Sequence, residues 1–252
     1  MRKAGALCAV LWMLAWITGV VWWIAGDAAG LERDMRRAAP SPVTGLPESE
    51  YAGVCRMTAD YLTGRADAFQ YRYTAEDGTE RVCFQEHEAV HMADVRKLIA
   101  LDQKVCLACA AAALLLTVLA LRKPGNRAGF GRGIRRGMAG AGILILGLLL
   151  WAAVDFDGLF VTFHRTAFDN EGWLLDPRTD LLIRLMPTGF FIALGIRGLL
   201  MTLVAPAALT VAAWALTREK GNRNEVRGSL PQTGRRAEGK GNDPDPGAGN
   251  QL

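Results

Sequence analysis

The chain reads as an all-α membrane protein of four transmembrane helices, with a small extracytoplasmic segment between the first two and both termini in the cytoplasm. Three observations carry this reading. Apolar residues make up 51% of the 252, and they gather in blocks instead of recurring along the chain as a soluble core would require. Crossing a bilayer core of about 30 Å takes about 20 apolar residues, and four stretches of that order stand out, at about 4–26, 100–121, 137–154 and 187–217. The third observation is the placement of charge. The segment between the second and third blocks holds Arg122, Lys123, Arg127, Arg132, Arg135 and Arg136 without an acid, which places it in the cytoplasm by the positive-inside rule.

The other segments fall into register with that one. Arg2 and Lys3 at the start, and Arg218, Lys220, Arg223 and Arg227 near the end, share the cytoplasmic side. The segment 27–99 and the loop 155–186 then both lie outside, so the expected membrane domain is 1–217. The net charge of +4 describes orientation and gives no reason to expect a nucleic-acid partner. The first block also fits a secretory signal, because Arg2 and Lys3 precede it and small residues follow near Ala25 to Gly30. Its length and its four tryptophans, Trp12, Trp16, Trp22 and Trp23, favour a retained anchor.

Within the outer segment, Pro40, Pro42 and Pro47 read as a loop, and 48–62 as helix. Residues 69–84 alternate around Asp77-Gly78, the signature of a hairpin. From Glu86 a helix is expected to run into the second span, since neither Pro nor Gly interrupts it. Beyond the third span, Phe156, Leu159, Phe160 and Phe163 share one helical face, and Pro187 suits the first turn of the last helix. From Gly221 the tail is polar and rich in Gly and Pro, so 218–252 is expected to be a disordered cytoplasmic tail. Of the five cysteines, Cys55 and Cys83 lie outside, where a disulfide persists if formed; free buried thiols are the equal alternative. Cys106 and Cys109 sit within an apolar span and read as packing residues.

Two histidines concentrate the chemistry. His91 and His164 stand in the two outer loops, so topology lets them meet. On a helix His91 shares a face with Glu88 and Asp94, either of which would hold one ring nitrogen, fix the tautomer and raise basicity. The bland alternative is two interfacial histidines bonded to backbone. A second pattern competes for the same residues: His87-Glu88-Ala89-Val90-His91 is H-E-x-x-H, the spacing of a zinc protease, with His164 available as a third ligand. Against it, the motif precedes the apolar span and no catalytic domain surrounds it. Arg197, inside the last span, either faces the bundle, binds a lipid phosphate, or snorkels to the interface.

At these residues the sequence resembles the lipoprotein intramolecular transacylase (Lit) family of Gram-positive bacteria. Glu88-Ala89-Val90-His91-Met92-Ala93-Asp94-Val95 is similar to the family's E-x-x-H-M-x-D-V. Phe163-His164 with Phe168, Trp173, Asp176, Asp180, Pro187 and Phe190-Phe191 is similar to its second, aromatic-rich motif. His87 stands outside the family pattern. The resemblance implies an acyltransferase that moves the sn-2 acyl chain of a diacylglyceryl-cysteine to that cysteine's own α-amine, giving a lyso-form lipoprotein. It implies no cofactor and no metal, because donor ester and acceptor amine belong to one substrate; the expected partners are a diacylated lipoprotein and membrane lipid, with a monomer sufficient.

Site expectations follow from it. His91 is expected as general base and His164 as acid or oxyanion donor, with exchanged roles or a transiently acylated histidine as alternatives. Glu88, Asp94, Asp176, Asp180 and Trp173 are expected to support them, and Phe160, Phe163, Phe168, Arg165 and Arg197 to contact substrate or lipid. Two other function classes stay open on sequence alone: the zinc protease using His87, Glu88 and His91, and a non-enzymatic membrane protein that uses its tail as a docking arm.

Overall fold

A computed structural model of the chain describes residues 1–204, 209–212 and 214. Three of its helices are long and apolar enough to cross a membrane: α1 (Arg2–Gly26), α5 (Glu86–Leu121) and α6 (Arg127–Val154). A shorter apolar helix, α9 (Thr188–Thr202), follows. The remainder of the fourth expected span, and the tail from residue 218, lie outside the described residues.

Helix α1 stands at the centre, packed against α5, α6 and α9. Its contact with α6 is close because both faces are small. A Cβ at Gly5 would run into the Phe130 carbonyl, and one at Gly137 would lie 2.5 Å from the Ala6 oxygen. Small residues let two backbones approach where no hydrophobic force drives helices together in lipid. On its other side α1 runs antiparallel to α5. The Cys8 thiol lies 3.2 Å from the Thr117 hydroxyl, while the Cys106 thiol donates to the Ala15 carbonyl at 3.2 Å, so rising numbers on one helix meet falling numbers on the other. Trp16 Nε1 donates to the Met201 carbonyl of α9 at 3.1 Å.

At 36 residues, α5 is about 54 Å long, well beyond a bilayer core of about 30 Å. The apolar portion begins near residue 100, so the first turns stand above it and carry His91. Around those turns the segment 27–85 builds its own core. Sequence reading had no helix between the first span and Pro40; the structure has α2 (Ala28–Ala38), started by Asp27, whose Oδ1 accepts the Gly30 N–H at 3.1 Å. Leu31 and Met35, four apart on one face, were its available signal. Part of the proline-bearing stretch is likewise a single turn, α3 (Ser41–Thr44), because Pro42 suits a first turn and Gly45 closes it with φ 75°.

Helix α4 (Tyr51–Leu62) presents Tyr51, Val54, Cys55 and Ala59 to Leu31 and Met35. The Tyr51 hydroxyl donates to the Ala39 carbonyl at 2.5 Å, which satisfies the phenol inside the core. The hairpin forms where expected, β1 (Arg72–Thr74) against β2 (Glu80–Val82) in antiparallel register with Tyr73 opposite Arg81. Both Cys55 and Cys83 are buried free thiols, and Cys55 Sγ lies 3.7 Å from Met35 Sδ. The same core takes Met92 from α5, Leu181, Leu182 and Leu185 from α8 (Leu181–Leu185), and Phe190 from α9. Between α6 and α8 lies α7 (Phe156–Ala167), the amphipathic helix expected from its phenylalanines.

Arg197 of α9 faces the bundle. Its Nη1 donates to Asp27 Oδ2 at 2.6 Å and its Nε lies 3.4 Å from Asp34 Oδ2, with 15% of the side chain exposed. The ion pair ties α9 to the junction of α1 and α2, and Gly30 makes room for it, since a Cβ there would collide with the guanidinium. Gly30→Ala is expected to displace Arg197 and cost about 1–3 kcal/mol, the usual range for overpacking a filled site. The measurement is thermal unfolding in detergent, and an unchanged melting temperature would show that Arg197 is not held there.

Candidate active site

The two histidines are delivered by different elements and both are 8% exposed. His91 sits in the second turn of α5, and His164 near the end of α7. Their ring centroids are 6.1 Å apart, with planes inclined by 32°. That separation sets the two imidazoles side by side, facing each other across one gap.

His164 is held firmly. Its Nδ1 lies 2.8 Å from the Phe160 carbonyl oxygen one turn back. A carbonyl only accepts, so Nδ1 carries the proton and Nε2 of the neutral ring carries the lone pair. Aromatic rings enclose it: Phe160 at 4.0 Å between centroids, Trp173 at 5.1 Å, Phe163 at 5.4 Å and Phe168 at 5.6 Å. Phe160 in turn packs on Phe191 of α9 at 5.1 Å. His91 meets Phe168 edge-on at 5.3 Å. Neither ring nitrogen of His91 has a hydrogen-bond partner among the described residues, which leaves both for an incoming molecule.

Burial disfavours a charged imidazole. It pushes His91 down to about 4; the His164 ring acts in the same sense and the Asp94 carboxylate opposes it. Burial also lowers His164, opposed by the bond to Phe160. At neutral pH the site therefore holds two uncharged imidazoles, able to take a proton and to donate an N–H.

The carboxylates near His91 do not bond its ring, which corrects the expectation for Glu88 and Asp94. Glu88 is fully buried. Its Oε2 accepts the Gln85 N–H at 2.7 Å, while Gln85 caps α5, and its Oε1 accepts the Leu182 N–H at 2.7 Å. Both donors belong to helix starts, which leave N–H groups without partners inside the helix. Asp94 takes Lys97 Nζ at 2.8 Å on one oxygen and Asn170 Nδ2 at 2.9 Å on the other. The two acids fasten α5 to the loop that follows α7. The Q-x-x-E capping pattern at Gln85 was the legible signal for this; Asn170 gave none.

The two remaining expected acids, Asp176 and Asp180, sit on that loop, and Arg165 stands on α7 just before it. Asp176 accepts the backbone N–H of Arg178 at 2.9 Å and pairs with its guanidinium at 2.7 Å. Asp180 is 3% exposed and takes His87 Nε2 at 3.0 Å. His87 thus turns away from His91, and the H-E-x-x-H spacing makes no donor pair: one imidazole clasps the loop, the other faces His164. Among the described residues no three His, Cys, Asp or Glu side chains converge as metal ligands. A cavity of about 380 Å³ opens beside Phe168, lined by Arg165, Asp169, Asn170, Glu171 and Trp173.

The family model for lipoprotein intramolecular transacylase Lit matches residues 6–191. The chain belongs to the Lit family. That match spans both histidines and all three long apolar helices, and the protein is accordingly a membrane protein of an acyl-transfer enzyme family; the zinc-protease reading is not favoured. Among solved structures, the membrane integral Lit of Bacillus cereus is similar with a TM-score of 0.67 at 18% identity, covering 89% of this chain and 97% of that one. Two further structures of that protein, with one histidine changed to arginine or to alanine, reach TM-scores of 0.61 and 0.60 at 20% identity. They cover 90% and 87% of this chain and 92% and 93% of theirs. At such identities the likeness speaks for the Lit fold. No curated protein matches the sequence.

The chain has only three histidines, so imidazole-labelled protein should give three resolvable titrations in NMR. His87, bonded to Asp180, is expected above its ordinary value, His164 below it, and His91 lowest, at about 4. Because His91 and His164 stay neutral in the folded state, their contribution to stability is complete above the ordinary histidine value of about 6.5 and is lost as pH falls below it. Three coincident titrations near 6.5 would contradict the buried pair.

Proposed function

We propose that this Lit-family enzyme transfers the sn-2 acyl chain of a diacylglyceryl-cysteine to the α-amine of the same cysteine, with His91 and His164 as its catalytic pair. The observation that carries the reading is the meeting of two buried imidazoles from separate loops, with ring centroids 6.1 Å apart, inside an aromatic enclosure.

Of the two role orders, the exchanged one is supported better. His164 Nε2 has a defined lone pair, and the Phe160 carbonyl at Nδ1 stabilises the ring once it is protonated. As the amine nitrogen attacks the sn-2 ester carbonyl, His164 Nε2 takes its proton. An α-amine has an ordinary pKa of about 7.7–8.0, so the demand on this base is small. His91, uncharged and the more strongly depressed of the two, donates an N–H to the developing oxyanion. The tetrahedral intermediate then breaks its bond to the sn-2 oxygen, which receives the proton from His164. One N–C bond forms, one O–C bond breaks, and the proton travels from amine to glycerol hydroxyl. Holding ester and amine in one molecule replaces a bimolecular encounter.

Phe160, Phe163 and Phe168 offer an apolar wall for acyl chains, and Phe163 is half exposed. Trp173 closes the far side of His164, with Asp176 and Asp180 shaping the loop that carries it and Arg165 available to a polar headgroup. The four-span layout, with 27–99 and 155–186 outside and both termini in the cytoplasm, puts the site on the extracytoplasmic face. It is supported by the basic segment at 122–136 and by the placement of both histidines at one end of the long helices. A single chain supplies both imidazoles, so a monomer suffices.

The reaction is an isomerisation, and that makes it easy to recognise. Purified protein mixed with a synthetic diacylglyceryl lipopeptide should abolish reactivity of the α-amine without any change in mass. A mass gain would mean acyl transfer from a second lipid, and a mass loss would mean hydrolysis; either result overturns the intramolecular reading. His91→Ala and His164→Ala are each expected to lower kcat at least about 100-fold, the lower end for a positioned acid or base. Activity in wild-type protein should fall on the acid side as His164 takes up a proton below about 6.5.

A further inference from the structure

His87 is the one histidine that the proposed reaction does not use, and it occupies a defined contact. Four polar links join the first turns of α5 to the segment 168–182. Gln85 Nε2 donates to the Thr179 carbonyl at 3.2 Å, His87 Nε2 meets Asp180 Oδ2 at 3.0 Å, Glu88 accepts the Leu182 N–H at 2.7 Å, and Asp94 accepts from Asn170 at 2.9 Å. Three of these reuse groups that close helix or turn geometry, and their partners on one side are backbone or a neutral amide. The His87–Asp180 contact alone joins two titratable side chains across the two elements, one half exposed and the other buried.

We propose that His87 is a positioning residue of the acyl-transfer site: through Asp180 it clasps the segment carrying Phe168 and Trp173 against the paired imidazoles. This rests on His91 and His164 being the catalytic pair. Phe168 touches both imidazoles and Trp173 touches His164. Residues 168–180 have no regular secondary structure, so the links to α5 help to fix their position. Loosening the clasp lets water reach the histidines and widens the pocket that holds ester and amine together.

The clasp also titrates. The bond to Asp180 raises His87, and the Asp180 and Glu88 charges act in the same sense against some desolvation. Burial works to raise Asp180, but bonds from His87, the Thr179 hydroxyl and the Asp176 N–H outweigh it and hold the carboxyl low. The other charges around the contact are Asp176, which is paired with Arg178, and Arg184, whose Nε donates to the Asp180 carbonyl. A raised imidazole contributes its attraction below its ordinary value and loses it as pH climbs through the raised one. His91 and His164 act in the opposite direction, since they work only when uncharged. The segment is held best where His87 is charged and the catalytic pair is not, and the alkaline limb of activity follows the release of the clasp.

The test compares wild type, His87→Ala and His87→Gln in detergent or nanodiscs by two measurements across pH: amide hydrogen exchange of 168–182, corrected for intrinsic base catalysis, and kcat with KM on the diacylglyceryl lipopeptide. In wild type, protection of 168–182 should fall on the alkaline side. In His87→Ala it should be low at every pH, with kcat down several-fold. His87→Gln supplies an uncharged N–H to Asp180 and should restore kcat while removing the alkaline change in protection. Exchange and kcat both unchanged in His87→Ala would overturn the clasp. If His87→Ala does not fold, an alkaline fall in protection that persists in His87→Gln would overturn it instead. The exchange arm needs no turnover, so it stands even if active His91→Ala and His164→Ala variants refute the catalytic pair.

Discussion

The fully buried Glu88 carboxylate is the interaction on which the geometry of the site depends. An isolated carboxylate taken out of water is costly, and it persists only where hydrogen bonds meet its charge. Here two backbone N–H groups do so, Gln85 at the start of α5 and Leu182 at the start of α8. Each is an orphan donor at the positive end of a helix. One side chain therefore satisfies two helix starts, one of them 94 residues away from it in sequence, and fixes how α5 and the loop before α9 approach each other. His91 lies three residues further along α5 and His164 on the helix that leads into the same loop. Their distance inherits the precision of that join.

Within this frame the three histidines are tuned in opposite directions by ordinary causes. Burial among aromatic rings lowers His91 and His164, while contact with the buried Asp180 carboxylate raises the half-exposed His87. The two environments are four residues apart on one helix, between His87 and His91. A regular expression sees H-E-x-x-H there; the fold uses the first histidine for attachment and the second for the site. The same economy applies to Asp94, which reaches Asn170 instead of the imidazole it was expected to orient.

Much of the fold was legible because its signals are local. The long apolar blocks announce α1, α5 and α6, Asp77-Gly78 announces the hairpin, and the phenylalanine spacing announces α7. The helix α2 was missed although Asp27, Leu31 and Met35 mark it, because it is short and Leu31 and Met35 are its only large apolar residues. In the site, His91 and His164 could be nominated from two motifs and a topology. The links of Gln85 to Thr179 and of Arg197 to Asp27 and Asp34 join positions 94 and up to 170 residues apart, and no periodicity encodes such a pairing.

The sequence by itself determined which segments are apolar enough to leave water, where the chain turns, and that two histidines stand near acids and aromatic residues. These properties depend on composition and on spacings of two to four residues, which helix and strand geometry read directly. Only the tertiary structure decided which acid serves which group. A carboxylate takes the nearest unsatisfied donor, and the nearest donor is set by how helices pack. Glu88 therefore joins two helix starts, Asp180 holds His87, and the His91 ring is left without a partner beside His164.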